Sequence, residues 1–180
     1  MRILLDQTAA VLIDIQDRLF PHLYEKDILL DNSLKLINGL RTLDIPITVT
    51  QQYSAGLGPT IAPIINTFSE FKYLEKNSFS CCDEPAFRDL ISQQKKHFII
   101  LFGIEAHVCV LQTCIDLLDS GLIPIVIEDC ISSRKSLDKK IAIDRMRQEG
   151  ARIASYESIL LELTRKAGNE RFKSISRIIK

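Results

Sequence analysis

Four short apolar runs, 9-AAVLID-14, 46-PITVTQ-51, 97-HFIILFG-103 and 122-LIPIVIE-128, constrain this chain more than any other feature. Each is β-rich and nearly unbroken in apolar character. A strand with one face in water would alternate, so these read as strands buried on both faces. Weaker candidates lie at 71-FKYLE-75 and 151-ARIAS-155. Between the runs, apolar residues recur at helical spacing. The segment 28-ILLDNSLKLINGLRTL-43 precedes Pro46, and 108-VCVLQTCIDLLDSG-121 and 137-LDKKIAIDRMRQEG-150 each end in Gly, a natural helix stop. One or two more helices are expected over 156–168 and 169–180. Strand then helix, repeated five or six times, predicts a three-layer α/β/α fold with a doubly wound, mainly parallel sheet of about six strands.

The chain has 180 residues and shows no linker, repeat or low-complexity segment, so residues 1–180 are expected to form one domain. Lys plus Arg and Asp plus Glu both number 23, a net charge of zero. Without a global field to draw polyanions, the expected partner is a small-molecule substrate, with no nucleic acid and no membrane. The basic residues from Arg165 to Lys180 are interleaved with apolar and acidic ones, as on a solvated helix face. The opening MRILLDQTAAVLIDIQD lacks the unbroken core of a signal peptide, and no stretch is long enough to span a bilayer. A cytoplasmic protein is expected. Its five cysteines (81, 82, 109, 114 and 130) form no disulfide or CxxC framework,.

In such a sheet, ligands bind beyond the carboxyl ends of the strands, which directs attention to three residues. Asp14 closes the run AAVLI, where it suits either a reactive carboxylate or a cap for the next turn. Cys109 follows the third strong run and Gly103, and opens a helix. The positive end of a helix dipole there is expected to lower the thiol pKa, with free N–H groups able to serve as oxyanion donors. Lys76 follows FKYLE and precedes NSFSCC, so it too suits a strand end; beside a carboxylate and a thiol it would hold their charges, and alone it would be a surface lysine. His107 is too close in sequence to turn onto the thiol, and is expected on the pocket wall or as a cap. Cys81 and Cys82, and likewise Cys114 and Cys130, suit packing. The stretch 53-YSAGLGPTIAP-63 reads as a long loop over a pocket or as plain connection.

Taken together, 13-IDIQD-17, 75-EKNSFS-80 and 103-GIEAHVCVLQT-113 resemble the isochorismatase-like cysteine hydrolases, which include nicotinamidases and N-carbamoyl amidohydrolases. The likeness spans most of the chain. In the Cys segment, the loop 51-QQYSAGLGPT-60 and the tail 171-RFKSISRIIK-180 it is similar to the uncharacterised isochorismatase-domain branch. The resemblance implies a triad of Asp14 as base, Lys76 as charge holder and Cys109 as nucleophile. It implies a cis peptide at Ile104–Glu105 and an oxyanion hole from the N–H groups of Glu105 and Cys109. Pocket residues are expected among Gln16, Leu19, Phe20, Gln51, Tyr53, Phe79 and His107. Nicotinamidases carry an Asp and several His after the second strand, whereas 50-TQQYSAGLGPT-60 has none, and His22, His97 and His107 are scattered. No metal and no cofactor is therefore expected. Close relatives often have Glu where Gln52 stands.

These features predict a metal-independent cysteine hydrolase acting on a small amide, carbamoyl or related carbonyl compound through a Cys acyl-enzyme, as a homo-oligomer. Two alternatives stay open: a non-catalytic binding or scaffold protein that keeps the triad, and vinyl ether cleavage by Asp14 without the thiol.

Overall fold

A computed structural model describes residues 1–180. Six strands, β1 (Thr8–Ile13), β2 (Ile47–Gln52), β3 (Leu74–Lys76), β4 (Phe98–Ile104), β5 (Ile123–Ser132) and β6 (Arg152–Ala154), form one sheet in the order β3-β2-β1-β4-β5-β6. Every neighbouring pair is parallel. The helices are α1 (Lys26–Thr42), the single turns α2 (Ser54–Leu57) and α3 (Ala62–Ile65), α4 (Pro85–Gln94), α5 (Leu111–Asp119), α6 (Ser136–Glu149), α7 (Tyr156–Thr164) and α8 (Glu170–Ile178). The expected layered α/β architecture with a six-stranded sheet is present.

The near-continuous apolar runs are double-sided strands. Along β4, Phe98, Ile100, Phe102 and Ile104 enter the core shared with α1, α7 and α8, while Ile99 and Leu101 enter the core shared with α4, α5 and α6. In β1, Ala10 and Leu12 face the first core, and Ala9, Val11 and Ile13 the second. This two-residue period places the apolar side chains of β1 and β4 alternately in one layer and the other,.

Several boundaries differ from the sequence expectation. The helix α4 lies where none was expected, although Pro85 at its first turn and Phe87, Leu90 and Ile91 at helical spacing mark it,. β5 continues past the charged pair Glu128–Asp129 to Ser132, with a register irregularity opposite Leu101–Gly103. The loop 53–63 contains the two short turns α2 and α3. α7 stops at Thr164 rather than near Gly168 because Arg165 turns left-handed, at φ 77°.

The chain winds from β1 outward to β3, then crosses to the other side of β1 with β4. The reversal leaves a crevice above the carboxyl ends of β1 and β4, the place where open parallel sheets hold ligands. Gly103 allows these strands to close there. It pairs with Ile13 at φ 139°, and a Cβ on it would lie 2.1 Å from the Ile13 carbonyl oxygen, an approach no side chain permits.

Candidate active site

The residues just beyond β1, β2 and β4 are Asp14, Tyr53 and Glu105, and all three adopt left-handed backbone conformations, with φ of 55°, 37° and 54°. Such a conformation is uncommon outside glycine, and runs of it cluster at sites. Asp14 thereby meets Lys76, the last residue of β3: Oδ2 lies 2.7 Å from Nζ, with both side chains at most 2% exposed. Thr50 Oγ1 donates to Asp14 Oδ1 at 2.8 Å. Lys76 Nζ also donates to Gln52 Oε1 at 2.5 Å and to the carbonyls of Ser78 and Phe79, each at 3.1 Å. A dry ammonium survives only when surrounded in this way. Burial works against its charge, but the Asp14 carboxylate, then Cys109 and Cys81, outweigh burial and hold the Lys76 pKa above its usual value.

Cys109 lies in a π-helical turn, Ala106–Val110, that leads into α5, and it is 5% exposed. Burial is the largest influence on its thiol and the Asp14 carboxylate the next, and against the opposing pull of Lys76 they push its pKa up to about 12. The expectation of a thiol activated by the helix end is corrected: desolvation and a neighbouring anion outweigh a partial dipole charge. Cys109 is therefore a neutral thiol beside a carboxylate, an arrangement that needs a base to release its proton. Cys81 is a second fully buried thiol in the same neighbourhood. Its N–H donates to Thr113 Oγ1 at 2.9 Å, and its Sγ lies 3.9 Å from Thr50 Oγ1. Burial first, then Asp14, pushes its pKa up to about 11.

A cavity of about 240 Å³ opens onto this cluster. Leu19, Leu57, Phe79 and Val108 form its apolar walls, and Asp14, Gln52, Glu105, Cys109 and Arg134 supply its polar atoms. Leu19 and Phe79 thus stand where a pocket was expected, whereas Gln16, Phe20, Gln51, Tyr53 and His107 do not line it. Gln16 is consumed as a brace, accepting from the Gln52 N–H at 2.7 Å and donating to the carbonyls of Gln52 and Gly58. Gln51 likewise accepts from the Thr60 N–H and hydroxyl at 2.6 and 2.9 Å. Phe20 packs on the α1 core, and the Tyr53 ring is 55% exposed. His107 Nδ1 pairs with Ser133 Oγ at 2.9 Å, while Nε2 is 3.8 Å from Glu105.

Four lining residues had no place in the expected pocket: the apolar Leu57 and Val108, and the polar Gln52 and Arg134. Gln52 is the last residue of β2 and touches Lys76 directly. Arg134 forks onto the Glu105 carboxylate through Nε at 3.3 Å and Nη2 at 3.2 Å. The rule about strand ends identifies Arg134 once β5 is known to reach Ser132; ending that strand at Glu128 hides it.

The expected cis peptide is also corrected: Ile104–Glu105 is trans, and no cis bond occurs in the chain. The left-handed Glu105 makes the reversal instead, and its carbonyl accepts the Val108 N–H at 2.8 Å to start the following turn. No group of three or more His, Cys, Asp and Glu side chains is arranged to hold a metal ion. No helix is long and apolar enough to cross a membrane.

Residues 8–158 match the isochorismatase domain. The chain is 40% identical over 149 residues to the secreted isochorismatase effector Isc1 of Phytophthora sojae, covering 81% of this chain and 71% of that one. It is 36% identical over 180 residues to isochorismatase domain-containing protein 2A of Mus musculus, covering 99% and 85%. A solved structure named as the MAR1 ribonuclease of Caenorhabditis elegans superposes with a TM-score of 0.93 at 35% identity, covering 99% and 92%. That name overturns the expectation that nucleic acid has no place among the partners. The expectation rested on zero net charge, and a sum over the chain says nothing of local basic surface. By sequence and fold, the chain belongs to the isochorismatase-domain family of hydrolases.

Proposed function

We propose that the protein is a cysteine hydrolase of small amide, carbamoyl or related carbonyl compounds, with Asp14, Lys76 and Cys109 as its catalytic residues. The observation that supports it is the dry 2.7 Å Asp14–Lys76 pair set against a protonated thiol at the floor of a small, mostly apolar cavity. Asp14 takes the Cys109 proton as Sγ attacks the carbonyl carbon, and Lys76 keeps the local charge balanced. The oxyanion is received by the N–H groups of Glu105 and Cys109. The tetrahedral intermediate collapses as Asp14 returns the proton to the departing nitrogen, leaving a thioester on Cys109. Asp14 then draws a proton from water, whose oxygen attacks the thioester; the acid leaves and the thiol is restored. The chemistry uses protein groups and water alone. A cavity of about 240 Å³ suits a substrate of few heavy atoms with an apolar side,.

The test is ammonia or amine release from a panel of small amides and carbamoyl compounds. Turnover must disappear in Cys109→Ala with the fold intact. Turnover that survives this change rejects the covalent route and favours cleavage driven by Asp14 alone. A pull-down that returns a stoichiometric partner, with no turnover of any compound, favours the scaffold reading.

A second reading is favoured by the 35% identity to the C. elegans structure: RNA is a substrate or partner. Arg134 lines the cavity, Lys135 and Lys140 follow it in sequence and are exposed, and these are the cations that would meet phosphates. Salt-sensitive RNA binding or cleavage that is lost when all three become Glu would establish it.

We further propose a cytoplasmic location; the unpaired, buried Cys81, Cys109, Cys114 and Cys130 are compatible with a reducing compartment,. We also expect a homo-oligomer. Leu137 and Ile141 are exposed one turn apart on α6, and light scattering of Leu137→Glu tests whether they support it.

A further inference from the structure

A larger cavity, of about 380 Å³, runs between α4 and α5, away from the catalytic cluster. Its floor is apolar: Phe87, Ile91 and Leu117 are at most 6% exposed and still line open space. Arg88, Lys95 and Lys96 are its only charged lining residues, so three cations border the groove and no carboxylate does. Lys95 and Lys96 follow the end of α4, where the helix dipole favours cations. That accounts for neither Arg88, at the fourth position of the helix, nor the apolar floor beneath.

The three cations are not equally engaged. Arg88 Nη1 donates to the Cys82 carbonyl at 2.8 Å, which fixes the guanidinium and leaves its other N–H groups available,. Lys96 Nζ donates to the Asp6 carbonyl at 2.7 Å, and no side chain or carbonyl pairs with Lys95 Nζ. A neutral apolar ligand would leave these charges uncompensated. A compact inorganic anion would leave Phe87, Ile91 and Leu117 uncovered.

We infer that this groove is a second small-molecule site, and that it takes a carboxylate carried on an aryl or short alkyl body. The carboxylate meets Arg88 and Lys95 by charge-assisted hydrogen bonds, and the body covers the apolar floor. The site is independent of the proposed hydrolase chemistry, because it shares no residue with the catalytic cavity.

The test is a titration of the full-length ¹⁵N-labelled protein with benzoate and octanoate, with inorganic phosphate as the control, read by amide chemical shifts. Saturable shifts centred on residues 87–96 and 117–122, caused by either carboxylate and not by phosphate, are expected. Arg88→Glu and Lys95→Glu lie on the surface, and each should weaken binding by about tenfold or more, as loss of a charge-assisted contact implies. Ser120→Trp, at the exposed rim, should block the groove without disturbing the core. The site is disproved by unsaturable shifts, by equal shifts with phosphate, by unchanged affinity in both charge reversals, or by shifts confined to the catalytic cavity around Asp14 and Cys109.

Discussion

The two faces of the sheet are built differently. The core under α1, α7 and α8 is aliphatic and aromatic, with Cys130 its single thiol. The core under α4, α5 and α6 holds Cys81, Cys109 and Cys114, and the proposed catalytic cluster of Asp14, Lys76 and Cys109 includes one of these thiols. The same strands feed both, since alternate residues of β1 and β4 point to opposite sides. A doubly wound sheet can therefore place its chemistry on one side and leave the other to packing. On the α5 side the helix begins with a π turn that carries Cys109, whereas on the α7 side it begins with an ordinary Ser155 capping box,.

The sharpest way to break this contrast is to delete one side chain on each face. Cys109→Ala should lower turnover by at least about a thousandfold, as loss of a covalent nucleophile does, while leaving the urea midpoint nearly unchanged. Leu36→Ala, in the opposite core, should cost about 2–5 kcal/mol of stability and leave kcat close to wild type. If Leu36→Ala alters kcat as strongly as stability, the two faces are not separable.

Lys76→Ala should damage both properties at once. It leaves the Asp14 carboxylate dry and unpaired, a loss of about 3–5 kcal/mol, measurable by urea unfolding, and it removes the charge that balances the site. A variant of wild-type stability would show that Asp14 reaches water.

The thiol itself offers a subtler test. The Asp14 charge helps keep the Cys109 pKa high, so Asp14→Asn should speed alkylation of Cys109 at neutral pH, by roughly tenfold for each unit the pKa falls, while turnover is lost. Mass spectrometry resolves the rate at each cysteine. Slower alkylation in this variant would mean that Asp14 activates the resting thiol rather than holding it protonated.

The smallest effect is a slope. Folding raises the Cys81 and Cys109 pKa values from 9.0 to about 11 and about 12. Unfolded thiols thus ionise first, and their contribution to stability, complete below about pH 9, is lost as pH climbs toward the folded values. Each thiol should contribute a slope of about 1.4 kcal/mol per pH unit in that window. Lys76, whose pKa is also raised, acts in the same direction because the native state keeps its proton. Urea unfolding across the alkaline range should show a shallower fall for Cys81→Ala than for wild type.

Much of this architecture is legible in the residues alone, because parallel strands buried on both faces leave uninterrupted apolar runs, and Asp14 closes one such run while Cys109 lies a short turn beyond another. α4 is less visible, since 85-PAFRDLISQQ-94 has only three large apolar residues and sits beside the irregular 77–83 segment. Glu128 and Asp129 interrupt the apolar run of β5, which hides both the end of that strand and Arg134 beyond it. Polar residues near the site were harder still: Gln16 and Gln51 sit beside Asp14 and Thr50 in sequence, yet their amides brace the 53–61 loop instead of facing the cavity. The raised Cys109 pKa depends on burial and on Asp14, which is 95 residues away in sequence, and helix position by itself points the other way.

The most direct test of the account is mass analysis of the protein quenched during turnover of p-nitrophenyl acetate. A single acetyl group should appear on Cys109 in the wild-type protein and decay as acetate is released. It should be absent from Cys109→Ala, and in Asp14→Asn it should form but decay more slowly, because no carboxylate then activates the deacylating water. Acetylation of Cys81 or surface lysines in place of Cys109, or undiminished acetate release by Cys109→Ala, would contradict the thioester mechanism.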